Sequence, residues 1–288
     1  MHRKVEAGRG AGWIVDGLGR LNRHGGVFAG IGLLLGAMSA LPGFAQLLGP
    51  LAGALIELAL ALVFALLGPV FHAGMVSAFD ISHRGGVPGV GQLFDGFRRP
   101  GALARLAPVV LVLLMVMIGA LVVVLISMGP TLFGMMEDGG EPKPDQILAL
   151  LLPLGLMFVV LFPLAVLFGW MVFLAIPRAM LGGVPGFTAL RESLGAIGAN
   201  IGAFIINFLC WIALMMVMLL PMMLVTMVFA AVFSGNGTMQ MLSQMIVSAL
   251  FGAVYAVAYT ASMYQAWLEI YAPESDAADL AASVAVEV

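Results

Sequence analysis

Charge is scarce in this sequence: charged residues make up 9 % of the 288 positions, whereas hydrophobic residues make up 62 %. A soluble domain of this length needs far more polar surface than that. The runs 107–136 and 201–233 contain no charged residue, so neither can form a helix with one solvated face. The composition therefore predicts an all-α polytopic membrane protein and argues against a soluble helical bundle.

The residues and motifs of common catalytic and metal sites are also few. Cys210 is the only cysteine, which excludes a disulfide framework and any site built from several thiolates. The sequence has no His-Glu-x-x-His, no Gly-x-Ser-x-Gly and no phosphate-binding Gly-x-x-x-x-Gly-Lys-Ser/Thr motif. The glycines between Gly8 and Gly12 do not predict a nucleotide loop, because no strand precedes them. We expect neither an enzyme nor a bound cofactor.

The phrase Gly-Gly-Val-Pro-Gly occurs twice, at 85–89 and at 182–186. The glycine pair permits a tight turn, and the proline suits the first turn of a helix. Apolar residues at helical spacing follow each copy, so each phrase is predicted to open an amphipathic helix. Ile14, Leu18 and Leu21 have the same character. They indicate a third, degenerate copy near the N-terminus.

Each amphipathic helix is followed by two long apolar runs, which predicts three helical hairpins. The six predicted spans are about 27–41, 51–79, 106–128, 147–176, 201–232 and 241–267. The predicted repeat units are about 10–79, 85–176 and 182–269. The resulting membrane domain, 26–270, is preceded by an N-terminal segment, 1–25, and followed by an acidic tail, 271–288, that is predicted to be disordered.

Lysine and arginine are concentrated on one side of the predicted membrane. All of these 12 residues except Lys143 fall in the N-terminal segment or in the loops that contain the repeated phrase. Because cytoplasmic loops carry the excess of lysine and arginine, both termini are predicted to be cytoplasmic. The first 25 residues are rich in glycine and arginine and do not have the short apolar core of a cleavable signal peptide.

The amphipathic helices have two interpretations. In the first, Leu93, Phe94 and Phe97 dip into lipid while nearby arginines meet anionic headgroups. In the second, these helices pack on the underside of the bundle as connectors. The candidate lipid-facing basic residues are Arg84, Arg98, Arg99, Arg105 and Arg191. The expected partners are the lipid bilayer, its anionic headgroups or another membrane protein, with no role for nucleic acid.

A few polar residues fall within the apolar runs. Glu57 is the only carboxylate well inside a span, where a charge is costly. The sixth span has a polar stripe on one face, and the fifth carries two asparagines seven residues apart. The candidate polar seam between spans two, five and six consists of Glu57, His72, Asn200, Asn207, Gln244, Ser248, Tyr255, Tyr259 and Ser262. It is either a path for a proton or small polar solute or a set of interhelical hydrogen bonds.

Three further features of the sequence bear on packing or on function. Gly32 and Gly36 form a small-xxx-small face that lets another helix approach closely. Glu57 and His72 leave open a novel intramembrane enzyme. The methionines suit either apolar packing or Cu(I), and several are predicted near the outer face. These are Met128, Met135, Met136, Met222, Met223, Met227, Met239, Met241 and Met245.

A family resemblance rests on three stretches: Val5-Glu6-Ala7-Gly8-Arg9-Gly10 with Gly12-Trp13, Leu67-Gly68-Pro69-Val70 with Gly74, and Arg84-Gly85-Gly86 before Leu93-Phe94-Asp95-Gly96-Phe97. Together they resemble an uncharacterised bacterial membrane-protein family that is similar to the membrane domain of some glycerophosphodiester phosphodiesterases. The resemblance implies a six-helix inner-membrane protein and carries no catalytic residue. The expected function is a non-enzymatic scaffold or a partner- or lipid-interacting module. The alternative is a permease for a small solute, or a proton-coupled one, that uses the polar seam.

Overall fold

The computed structural model describes residues 2–138 and 144–271, and within these ranges the chain is helical with no strand. The loop residues 139–143, which include Lys143, and the predicted acidic tail beyond Tyr271 lie outside the described residues. The helices are α1 (Arg9–Gly19), α2 (Gly25–Ala40), α3 (Pro50–His83), α4 (Asp95–Arg98), α5 (Ala102–Asp138), α6 (Pro144–Met180), α7 (Gly186–Ala199), α8 (Ile201–Val232) and α9 (Gly237–Tyr271).

Six helical stretches of the described chain are long and apolar enough to cross a membrane, as the sequence predicts. They are α2 with the 3-10 segment Leu41–Leu48 that continues it, α3, α5, α6, α8 and α9. The protein is therefore an all-α polytopic membrane protein. Some of these helices are longer than the predicted spans: α3 continues to His83 and α9 to Tyr271. Their last turns extend into the packed core of the protein, which hydropathy does not reveal.

The packed core lies at one end of the bundle. We call it the basic end, because it carries Arg9, Arg20, Arg84, Arg105 and Arg178. The large side chains that are fully buried there include Trp13, Phe28, Phe79, Leu106, Ile176, Phe204 and Tyr264. Three amphipathic segments and the ends of the spans all contribute to this cluster. The basic end is therefore built like the interior of a globular protein.

Towards the opposite end, the spans expose large apolar side chains. This exposed surface ends at Val63 on α3, at Leu164 on α6 and at Tyr255 on α9, whereas on α5 and α8 exposed apolar side chains occur as far as Leu103 and Ile201. We call it the apolar belt. On α6 it begins at Leu148, so its height is about 25 Å at ~1.5 Å per residue. That height is close to the ~30 Å of hydrocarbon in a bilayer.

The first amphipathic helix, α1, packs against α8 and α9, so the beginning and the end of the membrane domain meet. Trp13 of α1 is completely buried in this contact. Two glycines allow the close approach: a Cβ at Gly10 would lie 2.0 Å from the Ala203 carbonyl oxygen, and one at Gly17 would lie 2.7 Å from the Ala261 carbonyl carbon. The backbones of α1 and its two neighbours are therefore in direct contact.

The second amphipathic segment differs from the predicted single helix. It is a 3-10 helix, Val90–Phe94, followed by the one-turn helix α4. The Gln92 side chain accepts a hydrogen bond from the Gly89 backbone N–H at 2.6 Å and fixes the first turn. Gly91 adds a residue of low helix propensity. The segment is helical, as predicted, but its turns over 90–94 are 3-10, because local side-chain bonding and glycine favour the tighter helix.

The apolar residues of this second segment face protein. Leu93 is completely buried. The rings of Phe94 and Phe97 pack edge-on against Phe71 of α3, with centroids 6.1 and 5.4 Å apart. This packing favours the connector interpretation over side chains that dip into lipid.

The third amphipathic segment, α7, is one continuous helix and packs against α5 and α6. A Cβ at Gly186 would lie 2.2 Å from the Arg105 carbonyl oxygen, so this contact is also backbone to backbone. The second segment packs in the same way against α3, and α1 packs against α8 and α9. Each amphipathic segment thus contacts spans of a neighbouring hairpin, and α1 closes the ring.

Two glycine predictions are confirmed. The tight turns of the repeated phrase use positive φ at Gly85 (81°) and at Gly183 (66°), a region that favours glycine. Gly32 and Gly36 of α2 lie against α9, where a Cβ at Gly36 would be 2.2 Å from the Ala249 carbonyl oxygen. The first span therefore packs tightly on the last one.

Candidate functional site

A cavity of about 740 Å³ lies between α6, α8 and α9, on the side of the core that faces the apolar belt. Its volume falls within the ~300–1,000 Å³ of small-molecule sites. On α8 the lining runs from Asn207 to Met222, a length of about 22 Å at ~1.5 Å per residue. None of the described residues that line it is charged. The cavity is long, apolar and placed where membrane lipid is the surrounding solvent.

Aromatic and methionine side chains form most of the cavity wall. Trp170 and Phe173 come from α6, Phe208 and Trp211 from α8, and Phe251 from α9. The lining methionines are Met215, Met216, Met218 and Met222. Such side chains adapt their shape to an apolar ligand and offer it dispersion contacts.

Polar groups in this wall lack partners. The hydroxyls of Ser248, Tyr255 and Tyr259 have no hydrogen bond to any described residue. The indole N–H of Trp211 is buried and likewise has no partner among the described residues. Donors without acceptors are unfavourable in a water-poor site. The cavity therefore presents unused hydroxyl groups to a ligand, whereas the Trp211 N–H is covered by protein atoms.

The helical spacing of α9 brings these donors together. Tyr255 and Tyr259 are four residues apart and stack with ring centroids 5.7 Å apart. Trp211 of α8 packs against both rings, at 5.5 and 5.9 Å. Tyr255 marks the edge of the apolar belt, so this aromatic group lies at the level where the exposed apolar surface ends.

Four of the nine predicted seam residues line the cavity: Asn207, Ser248, Tyr255 and Tyr259. His72 lies beside them, because its Nδ1 is 2.7 Å from the Thr260 hydroxyl and its ring packs edge-on against Tyr259. The amide of Asn207 donates to the Gly10 carbonyl at 2.9 Å and to the Ser262 hydroxyl at 3.3 Å. These contacts hold α1, α8 and α9 together as interhelical hydrogen bonds do.

The other seam residues lie elsewhere. Glu57 accepts a hydrogen bond from Gln46 at 3.1 Å and does not line the cavity. Gln244 is exposed. Asn200 accepts a hydrogen bond from the Val5 N–H and donates to the Arg3 carbonyl, so it anchors the N-terminal segment at the basic end. The seam remains a prediction as a single path, but its residues are spread over three separate places.

The candidate lipid-facing basic residues contact protein in most cases. Arg99 pairs with Asp95 at 3.3 Å, and Arg84 pairs with Asp80 at 3.0 Å. The Arg98 guanidinium lies over the Phe94 ring, and Arg105 donates to the Ala179 carbonyl. Arg191 is exposed on α7. Most of these contacts lie within α3 or within the second segment, Arg105 joins α5 to α6, and Arg99 also donates to the Ser77 hydroxyl and so joins the second segment to α3.

A partly buried polar network at the basic end was not predicted from the sequence. Glu269 of α9 accepts hydrogen bonds from the Arg9 guanidinium, from the Trp13 indole N–H at 3.0 Å and from the Gln265 amide at 2.8 Å. Asp16 pairs with the same Arg9 at 2.7 Å. The hydrogen bonds and charge of Glu269, with those of Asp16, raise the pKa of Arg9.

The network continues to α3 through Arg20, which donates to Gln265 at 2.8 Å and lies 3.0 Å from His83 Nδ1. Burial lowers the pKa of Arg20. Two features of the sequence are consistent with this network. Gln265 and Glu269 are four residues apart on α9, and Asp16 and Arg20 lie off the apolar face of α1. The network holds α1 in place.

The described residues contain no group of three or more His, Cys, Asp or Glu side chains that could hold a metal ion. Of the methionines predicted near the outer face, Met222 alone among those whose side chains the structure describes lines the cavity, and Met135 and Met136 are not among these described side chains. Comparison with known protein families, with curated proteins and with solved structures finds no match to this chain. The fold itself defines the class of the protein, which is a six-span all-α membrane protein.

Proposed function

We propose that the protein is a non-enzymatic, lipid-interacting module of the bacterial inner membrane, and that it holds a lipid molecule in the cavity between α6, α8 and α9. The observation that carries the proposal is an uncharged cavity of about 740 Å³ beside the apolar belt. Apolar walls suit hydrocarbon, because an acyl chain that enters from the bilayer stays in an apolar environment and gains dispersion contacts with the wall.

The two ends of the bundle support different parts of this role. The basic end is tightly packed, and its three connector segments give a fixed framework. In the belt, α6, α8 and α9 leave space between them. A rigid scaffold beside an open apolar site suits a protein that retains a lipid or presents it to a partner. The resemblance to a membrane domain without catalytic residues agrees with a non-enzymatic role.

For the orientation, we propose that the basic end faces the cytoplasm, because almost all lysines and arginines are found there. Reporter fusions at the N-terminus and after Tyr271 should both be active in the cytoplasm, and a fusion within the loop 139–143 should not. The loop 139–143 contains one lysine and one acidic residue. The proposed orientation therefore depends on the arginines at the basic end. An external N-terminus would contradict the proposed orientation.

Filling the cavity should displace the lipid. Gly252 lines it, and a Cβ at this position meets nothing within 4 Å, so Gly252→Leu places a side chain in the cavity without a backbone clash. We expect lipid retained by the purified protein, counted by native mass spectrometry, to fall about tenfold, since the added methylenes exclude part of the ligand. Thermal stability should not fall, because leucine favours helix over glycine.

Gly155→Leu is the matched control. Gly155 is also a helical glycine with nothing within 4 Å of an added Cβ, but it is exposed on α6 and does not line the cavity. We expect its lipid content to equal that of the wild type. Equal lipid retention by the wild type and by Gly252→Leu would contradict the proposal.

The permease alternative is favoured by one observation, which is that Asn207, Ser248, Tyr255 and Tyr259 all line this cavity. In that case a small solute would pass through the cavity, and the same Gly252→Leu variant would abolish solute flux in proteoliposomes. Flux in the wild type without retained lipid would favour the permease over the lipid-binding module.

A further inference from the structure

We propose that the occupant of the cavity is a diacyl glycerolipid whose ester carbonyls accept hydrogen bonds from Tyr255 and Tyr259, while one acyl chain extends along α8 away from the basic end. This inference rests on the proposed lipid-binding function and names the chemical class of the ligand and the residues that recognise it.

The depth of the aromatic group agrees with the ester level of a bilayer. The exposed apolar surface ends at Val63, Leu164 and Tyr255 on three different helices. On α3, α6 and α9 we take this edge as the boundary between hydrocarbon and headgroups, where tryptophan and tyrosine are enriched in membrane proteins, whereas α8 exposes apolar side chains beyond it as far as Ile201. Trp211 packs on Tyr255 and therefore lies at the same level. The ester linkages of membrane lipids lie at this boundary.

The length of the cavity fits one acyl chain. From Trp211, at the proposed ester level, to Met222, at the far end of the lining on α8, the helix rises about 16 Å at ~1.5 Å per residue. One leaflet contributes about half of the ~30 Å hydrocarbon core. A chain that begins at the aromatic group would therefore reach the end of the cavity without leaving the leaflet.

The chemistry of the wall selects an ester over other apolar ligands. The hydroxyls of Tyr255 and Tyr259 have no acceptor among the described residues, so a pure hydrocarbon would leave them unpaired. A free fatty acid would bring a carboxylate to this level, and the lining contains no cation to pair with it. Ester carbonyls are uncharged acceptors and satisfy both conditions.

The test compares two lipids with identical chains and headgroups, one with ester linkages and one with ether linkages, which lack the carbonyl oxygens. The full chain, purified in detergent and stripped of lipid, is titrated with each lipid and the bound fraction is measured by native mass spectrometry. We expect the ester lipid to bind about tenfold more tightly than the ether lipid, as for the loss of one or two hydrogen bonds.

The double variant Tyr255→Phe with Tyr259→Phe keeps the rings and removes the hydroxyls. In this variant the ratio of ester-lipid affinity to ether-lipid affinity should fall to within about twofold of one, and the affinity for the ether lipid should change little. Tyr271→Phe, outside the cavity, should keep the full preference. If the wild type binds both lipids equally, the ester inference is wrong and the proposed function stands. If it binds neither lipid, both are wrong.

Discussion

Replacing Gly10 with leucine should release α1 from the bundle and lower the free energy of unfolding by about 3 kcal/mol, at the upper end of the cost of overpacking. A Cβ at this position would lie 2.0 Å from the Ala203 carbonyl oxygen and 2.8 Å from the Asn207 backbone nitrogen. Neither atom belongs to a side chain that can rotate away. Faster hydrogen exchange of the α1 amides, measured by mass spectrometry, would report the release directly.

Gly19→Leu gives the comparison within the same helix. A Cβ at Gly19 meets nothing within 4 Å, so this variant should be neutral or slightly stabilising. Similar destabilisation by the two substitutions would show that α1 tolerates no change of glycine anywhere, and the argument from backbone contact at Gly10 would fail.

Replacing Glu269 with glutamine should have the second largest effect, a loss of about 2 kcal/mol of stability. Three donors, from Arg9, Trp13 and Gln265, converge on this carboxylate. A neutral amide accepts fewer and weaker hydrogen bonds than a carboxylate, and part of the partners stays buried and unpaired. The measurement is the thermal unfolding of the purified protein in detergent.

Glu192→Gln is the matched carboxylate at the same end of the bundle. Glu192 pairs at 2.7 Å with Arg178, and its side chain is 35 % exposed, against 14 % for Glu269. Its loss should be smaller, at about 1 kcal/mol or less, and more sensitive to salt. Equal losses from the two substitutions would argue against a special role of the network around Glu269.

Both predictions concern the closure of the ring by α1. This helix bonds to α9 through Glu269 and to α8 through the Asn207 amide. Asn207 also lines the cavity. Release of α1 should therefore loosen the wall of the proposed lipid site as well as the basic end, and lipid retention is a second readout for the Gly10 variant.

The sequence predicts the residues of the site better than their arrangement. The polar stripe of the last span gives Ser248, Tyr255 and Tyr259, because helical periodicity places them on one face. It does not reveal that the space before this face is an apolar cavity. Glu57 is a predicted seam residue because a charge is rare within a span, but its hydrogen-bond partner is Gln46, which is close to it along the chain. The sequence indicates how deep a residue lies along its span. It does not indicate which neighbouring helix, cavity or lipid that residue's face of the helix meets.

The amino-acid sequence by itself determines the six spans, the glycine turns and the concentration of arginine at one end, because hydropathy, φ preference and charge are properties of short stretches. Only the tertiary structure decides the cavity, the network around Glu269 and the closure of the ring. These depend on contacts such as Arg9 with Glu269, which join the two ends of the chain. In a lipid environment an apolar face can turn to lipid or to protein, so close glycine contacts and buried polar partners decide which helices meet.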